Sequence, residues 1–117
     1  MNQSDLYPPA TKELSVQRRQ LAPKQAEAFR AFSQSVFADG ALPAKTKQLI
    51  AVAVAHVTQC PYCIRGHSKQ ALQSGATPEE IMEAIWVAAE MRAGAATSHS
   101  TLALDAINQV HHGESTP

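Results

Sequence analysis

Apolar residues recur along this chain at the spacing of helices. From Pro23 onward, Ala26, Phe29, Phe32 and Val36 lie three or four apart with Phe37 beside the last, which predicts a helix over 23–39, opened by the proline and stopped at Gly40. A second helix is expected over 43–58, again behind a proline. Leu49, Ile50, Val52, Ala53, Val54 and Val57 make its second half apolar on nearly every side, a pattern that predicts burial. A third runs over about 61–74 and stops at Gly75. Thr77-Pro78-Glu79-Glu80 has the form of a capping box, in which the threonine and the glutamate three residues on satisfy each other's backbone N–H groups. It opens a fourth helix over 78–92, with Ile81, Ala84, Ile85, Ala88 and Ala89 inward and Trp86 and Met91 on its flanks. Ala93-Gly94-Ala95-Ala96 is expected to break or kink that helix, with a fifth continuing to about Val110. Residues 11–20 carry only a thin apolar stripe and add a short helix at most.

No credible strand pair competes, so the fold class is all-α, a bundle of about five to six helices. The 117 residues suit one domain spanning 1–117, with an N-terminal arm at about 1–10, docked through Leu6 and Tyr7, and a frayed tail at about 112–117. Hydrophobic residues make up 44% of the chain, more apolar helix surface than one small subunit hides, which predicts a homo-oligomer.

Charge removes several function classes. Ten basic residues balance ten acidic ones, so there is no positive field for a phosphate backbone, and nucleic acid is not an expected partner. No low-charge run is long enough to span a membrane. Met1-Asn2-Gln3-Ser4-Asp5 is polar and shows no secretory signal, which with two cysteines spaced C-x-x-C points to a reducing, cytoplasmic setting.

Those cysteines lie in Cys60-Pro61-Tyr62-Cys63-Ile64-Arg65-Gly66-His67. On a helix begun by Pro61, positions 60, 63 and 67 share one face, with Cys60 near the N-cap and Cys63 in the first turn. Unpaired N–H groups there stabilise a thiolate and can lower a thiol pKa from about 8.5 toward the physiological range. His67, one turn on, can accept or return a proton, so the stretch reads as a redox-active dithiol with a local base. Two other readings compete. The cysteines can be small buried hydrophobes. Alternatively, Cys60, Cys63 and His67 can join His56 or His99 in a zinc site, although three ligands on one helix face is not the usual paired-knuckle spacing. His56 and His99 are equally readable as structural residues, Tyr62 as a pocket wall or an exposed ring, Trp86 and Met91 as core or interface, and Lys45, Lys47, Arg18 and Arg19 as solvated charges.

The stretch 45–94, KTKQLIAVAVAHVTQCPYCIRGHSKQALQSGATPEEIMEAIWVAAEMRAG, resembles the core of the carboxymuconolactone decarboxylase and alkylhydroperoxidase D superfamily. The resemblance rests on the apolar helix after Lys47, the C-x-Y-C-x-x-x-H motif, the ALQSGAT turn and the TPEEI helix start, all in one register over about fifty residues. The cysteine pair places it nearer the alkylhydroperoxidase D branch. That likeness implies an all-α fold assembled into trimers or hexamers, and thiol peroxidase or disulfide reductase activity recharged by a lipoyl or thioredoxin-type dithiol. It also implies Cys63 as the peroxidatic cysteine, Cys60 as its disulfide partner and His67 as the proton-relay histidine. The relay's glutamate would fall twelve residues before Cys60, where this chain has Gln48; an amide cannot take that proton, so His56 becomes the candidate stand-in base.

The expected function is therefore thiol-dependent reduction of hydroperoxides, with no cofactor and no metal. The alternatives are a metal- or ligand-binding module on the same fold, or a decarboxylase-like enzyme. The last would leave the cysteines idle and would want cations beside a substrate carboxylate, with Arg65 and Arg92 the only arginines near the motifs.

Overall fold

Proline and short polar caps set the helix starts. A computed structural model of the chain describes residues 6–113, and five helices lie among them. We number these α1 (Lys12–Leu21), α2 (Pro23–Phe37), α3 (Ala44–Thr58), α4 (Pro61–Gln73) and α5 (Pro78–His111). The described residues are helical without strands, as expected for an all-α chain. Residues 1–5 of the arm and 114–117 of the tail lie outside the described residues.

The Thr11 side chain caps α1 by accepting from Leu14 N. A single residue, Ala22, separates α1 from α2, whose first position is Pro23. The α2 helix stops at Phe37, short of the expected 39, because Ala38 leaves it in an extended conformation; Gly40 ends nothing itself. Asp39 instead caps the next helix, its Oδ1 accepting from Ala44 N at 2.7 Å. Between α4 and α5, Gly75 adopts a left-handed φ of 98°. Ala76 N bonds Ala71 O and Gly75 N bonds Leu72 O, the paired bonds of a Schellman turn. The capping box at α5 is fully formed: Glu80 N donates to Thr77 Oγ1, and Thr77 N donates to Glu80 Oε1.

The α3 helix lies at the centre, packed on both α4 and α5. Val52 and Ala71 are fully buried and Ala76 nearly so, with Leu49, Ile81 and Ile85 packed against them. Alanines at the crossings, including Ala55 and Ala88, let the helix axes approach closely.

Three further expectations need correction. No break occurs at 93–96, because α5 runs unbroken for 34 residues, about 51 Å at 1.5 Å per residue. Alanine is the best helix former, and one interior glycine costs only about 1 kcal/mol, which a long helix absorbs. Nor is α3 buried all round. Ile50, Val54 and Val57 are about half exposed, because two helices cannot cover three sides of a third. In the arm, Tyr7 packs edge-on against Tyr62 with ring centroids 6.3 Å apart, whereas Leu6 is 70% exposed and docks nothing.

The single chain leaves much apolar surface uncovered. Its radius of gyration is 20.6 Å, against about 13 Å for a compact chain of this length. Its accessible surface is 9311 Å², against about 6,200 Å² for a compact monomer of this mass. Phe29 and Phe32 on α2, Trp86 and Met91 on α5, and Leu102, Leu104, Ile107 and Val110 on its distal half are all largely exposed.

Candidate active site

The site is built where α3 hands over to α4. The α3 helix closes on Gln59, a non-glycine residue in the left-handed region with φ 58° and ψ 49°. Gln59 N and Cys60 N both bond to Ala55 O, which turns the chain sharply enough that Cys60 becomes the N-cap of α4. Pro61 takes the first helical position, as its missing N–H permits. Cys63 N donates to Cys60 Sγ at 3.2 Å, so one of the unpaired N–H groups of the α4 start is spent on the first sulfur. Cys60 and Cys63 form a disulfide, with Cα atoms 5.2 Å apart.

Cys63, and not Cys60, opens onto a cavity of about 390 Å³ bounded by α2, α3 and α4. Phe37, Ile50, Ala51 and Val54 form much of its wall, and Lys47 and His67 are the groups in it that can carry positive charge. No carboxylate lines it, so no like charge there repels a thiolate at Cys63. Lys47 is not a freely solvated charge: its Nζ donates to Ala38 O at 2.6 Å. Lys45 is likewise engaged, in a 2.9 Å ion pair with Glu80.

His67 is held on two sides. Its ring stacks on Phe37 with centroids 5.1 Å apart and an interplanar angle of 26°. Its Nδ1 lies 2.8 Å from Gln48 Oε1, and Gln48 Nε2 donates to Gln70 Oε1 at 3.0 Å. Gln48 is 6% exposed, so it is no surface amide: it is buried with both ends of its amide bonded. Gln70 and Phe37 were not among the expected residues. Positions 63, 67 and 70 follow an i, i+4, i+7 pattern on α4, a signal that would have brought Gln70 to notice. Phe37 comes from another helix, thirty residues before His67, and no local pattern links the two.

The remaining candidates lie elsewhere. His56 is half-buried on a different side of α3, where its Nδ1 donates to Val52 O at 2.7 Å; it does not line the cavity with Cys63 and His67. His99 Nδ1 donates to Ala95 O on the exposed middle of α5. Among the described residues, no three His, Cys, Asp or Glu side chains converge as a metal-holding group, so the four residues of the zinc reading are not brought together. Tyr62 faces the arm, its hydroxyl donating to Pro8 O at 2.9 Å. Arg92 Nη1 donates to Val57 O in the last turn of α3, and Arg65 lies outside the cavity wall. No arginine is therefore placed to meet a carboxylate in this cavity.

The carboxymuconolactone decarboxylase family model matches residues 23–106, which take in α2 to most of α5 and all the site residues above. A Paracoccus denitrificans protein named for its place in the cox locus is 67% identical over 84 residues, 72% of this chain and 76% of that one. Among solved structures, a Legionella pneumophila protein described as of the carboxymuconolactone decarboxylase family superimposes with a TM-score of 0.65 at 36% identity, covering 85% of this chain and 91% of its own. A Thermotoga maritima protein of that description, suggested to take part in an antioxidative response, gives a TM-score of 0.55 at 29% identity, over 77% of this chain and 93% of its own. No helix among the described residues is long and apolar enough to cross a membrane.

Proposed function

This chain belongs to the carboxymuconolactone decarboxylase family, and within it we propose that the protein is a thiol-dependent hydroperoxidase working through Cys63 and Cys60. The observation that carries this reading is the disulfide-bonded pair at the start of α4, with Cys63 and His67 facing one apolar cavity. The suggested antioxidative role of the Thermotoga maritima relative agrees with it.

In the first step His67 accepts the Cys63 proton, and the thiolate attacks the outer oxygen of a hydroperoxide. The O–O bond breaks, Cys63 becomes a sulfenic acid, and the alkoxide leaves as an alcohol after taking the proton from His67. The Cys60 thiol then displaces hydroxide from the sulfenic acid; the hydroxide leaves with the thiol's proton as water and the disulfide forms, two electrons having passed from the thiols to the peroxide. An external dithiol of the lipoyl or thioredoxin type restores the pair by exchange. It attacks Cys63, the sulfur open to the cavity, and Cys60 departs as a thiolate stabilised by the N–H it accepts from the start of α4. Acting on another protein's disulfide, the same residues need no sulfenate.

The apolar surface left bare by one chain supports assembly into a homo-oligomer, for which the family likeness suggests a trimer or hexamer, and a dithiol that must be reduced again after each turnover suits a reducing, cytoplasmic setting. The test is hydroperoxide consumption coupled to a dithiol donor. Cys63→Ser abolishes turnover, whereas Cys60→Ser still consumes one equivalent of peroxide before stopping. Full turnover by Cys63→Ser overturns the scheme.

A further inference from the structure

Behind His67 lies a chain of two neutral amides, Gln48 and Gln70, whose hydrogen bonds run in one direction. Gln48 Nε2 donates to Gln70 Oε1, which leaves Gln48 Oε1 as the atom facing His67. A carbonyl oxygen only accepts, so His67 must carry its neutral-state proton on Nδ1, and Nε2 keeps its lone pair. Gln48 is buried and cannot trade this partner for water; Gln70 lies on the exposed side of α4, and its oxygen is the acceptor that the inner amide's nitrogen meets.

We propose that Gln70 is a positioning residue: by accepting from Gln48 it holds His67 as the Nδ1–H tautomer, with Nε2 free to take the Cys63 proton. The tautomer follows from the orientation of the Gln48 amide; its consequence for Cys63 rests on the dithiol reading above. Neither glutamine titrates, so the chain orients the base without supplying or draining protons.

The test replaces the acceptor at position 70. Gln70→Glu keeps an oxygen toward Gln48 Nε2. Gln70→Lys offers only donors. Its ammonium turns the Gln48 amide round, so that Nε2 of Gln48 faces His67 and drives the imidazole proton to its own Nε2. Long-range ¹H–¹⁵N spectra of the disulfide form, in mildly alkaline buffer where imidazoles are neutral, read the tautomer directly. Wild type and Gln70→Glu are expected to show a protonated Nδ1, and Gln70→Lys a protonated Nε2. A protonated Nε2 in the wild type, or a Gln70→Lys tautomer identical to wild type, overturns the proposal. The exposed position keeps both variants folded, which melting curves verify. In the reduced protein, Gln70→Lys should slow peroxide-driven thiol loss by about tenfold or more, the size of a displaced general base. A tautomer that inverts without slowing the thiols upholds the positioning role and counts instead against His67 as the base for Cys63.

Discussion

His67 Nδ1 meets Gln48 Oε1 at 2.8 Å, so the imidazole that shares a cavity with Cys63 is backed by a neutral amide. A carboxylate at that place would favour the imidazolium, with an opposite charge within hydrogen-bond distance typically worth about 1–3 pH units. Gln48→Glu is therefore expected to speed hydroperoxide turnover by adding a second proton acceptor behind His67. Turnover no faster than wild type in Gln48→Glu would mean that position 48 takes no part in moving the proton.

The exposed apolar helices carry the second expectation. Sedimentation should give a mass that is a multiple of the 12.6 kDa chain. Ile107→Glu places a charge on the bare distal half of α5, where it touches no core residue of the same chain, and should shift the mass toward 12.6 kDa without lowering helix content. A wild-type protein sedimenting as a single chain at micromolar concentration would contradict this account of the uncovered surface.

Gln59 closes α3 in the left-handed region, where a side chain costs about 1–2 kcal/mol relative to the right-handed one. Glycine has no such penalty but loses more entropy on folding. Gln59→Gly should accordingly gain about 0.5–1 kcal/mol in urea unfolding. A loss of stability would show that the Gln59 side chain makes a contact worth more than the strain.

At the start of α5, the backbone N–H of Thr77, and after it the Lys45 ammonium, hold the Glu80 carboxyl below its ordinary value of 4.5. A depressed carboxyl contributes stability above its unfolded value and loses it as the pH falls through the folded one. Wild type should therefore exceed Glu80→Gln in stability at neutral pH, and the gap should close as the pH drops below 4.5. A gap that widens in acid would reverse the assigned sign.

Local signals carried the reading of this chain where local physics decides the outcome. Pro23 and Pro61 at helix starts, the Thr77–Glu80 box and the Gly75 turn are short-range patterns, and the structure has each of them. The supposed break at 93–96 failed because a glycine among alanines was weighed as a stop, when its small cost is spread along a long helix. Within the site, Cys60, Cys63 and His67 were legible from spacing along one helix. The burial of Gln48, its bond to Gln70 and the stacking of Phe37 on His67 depend on how three helices meet, and no periodicity within one segment contains that. The sequence makes His56 the stand-in base for the relay, yet in the fold it lies on a different side of α3 from the cavity.

The most direct test of the central claim is a timed thiol count on the reduced protein after one equivalent of a hydroperoxide, run beside the same chain unfolded in denaturant. The account predicts that two thiols disappear together, much faster in the folded protein, and that a dithiol restores both. Loss no faster than in the unfolded chain would show that the fold does not activate Cys63, and the hydroperoxidase assignment would fall.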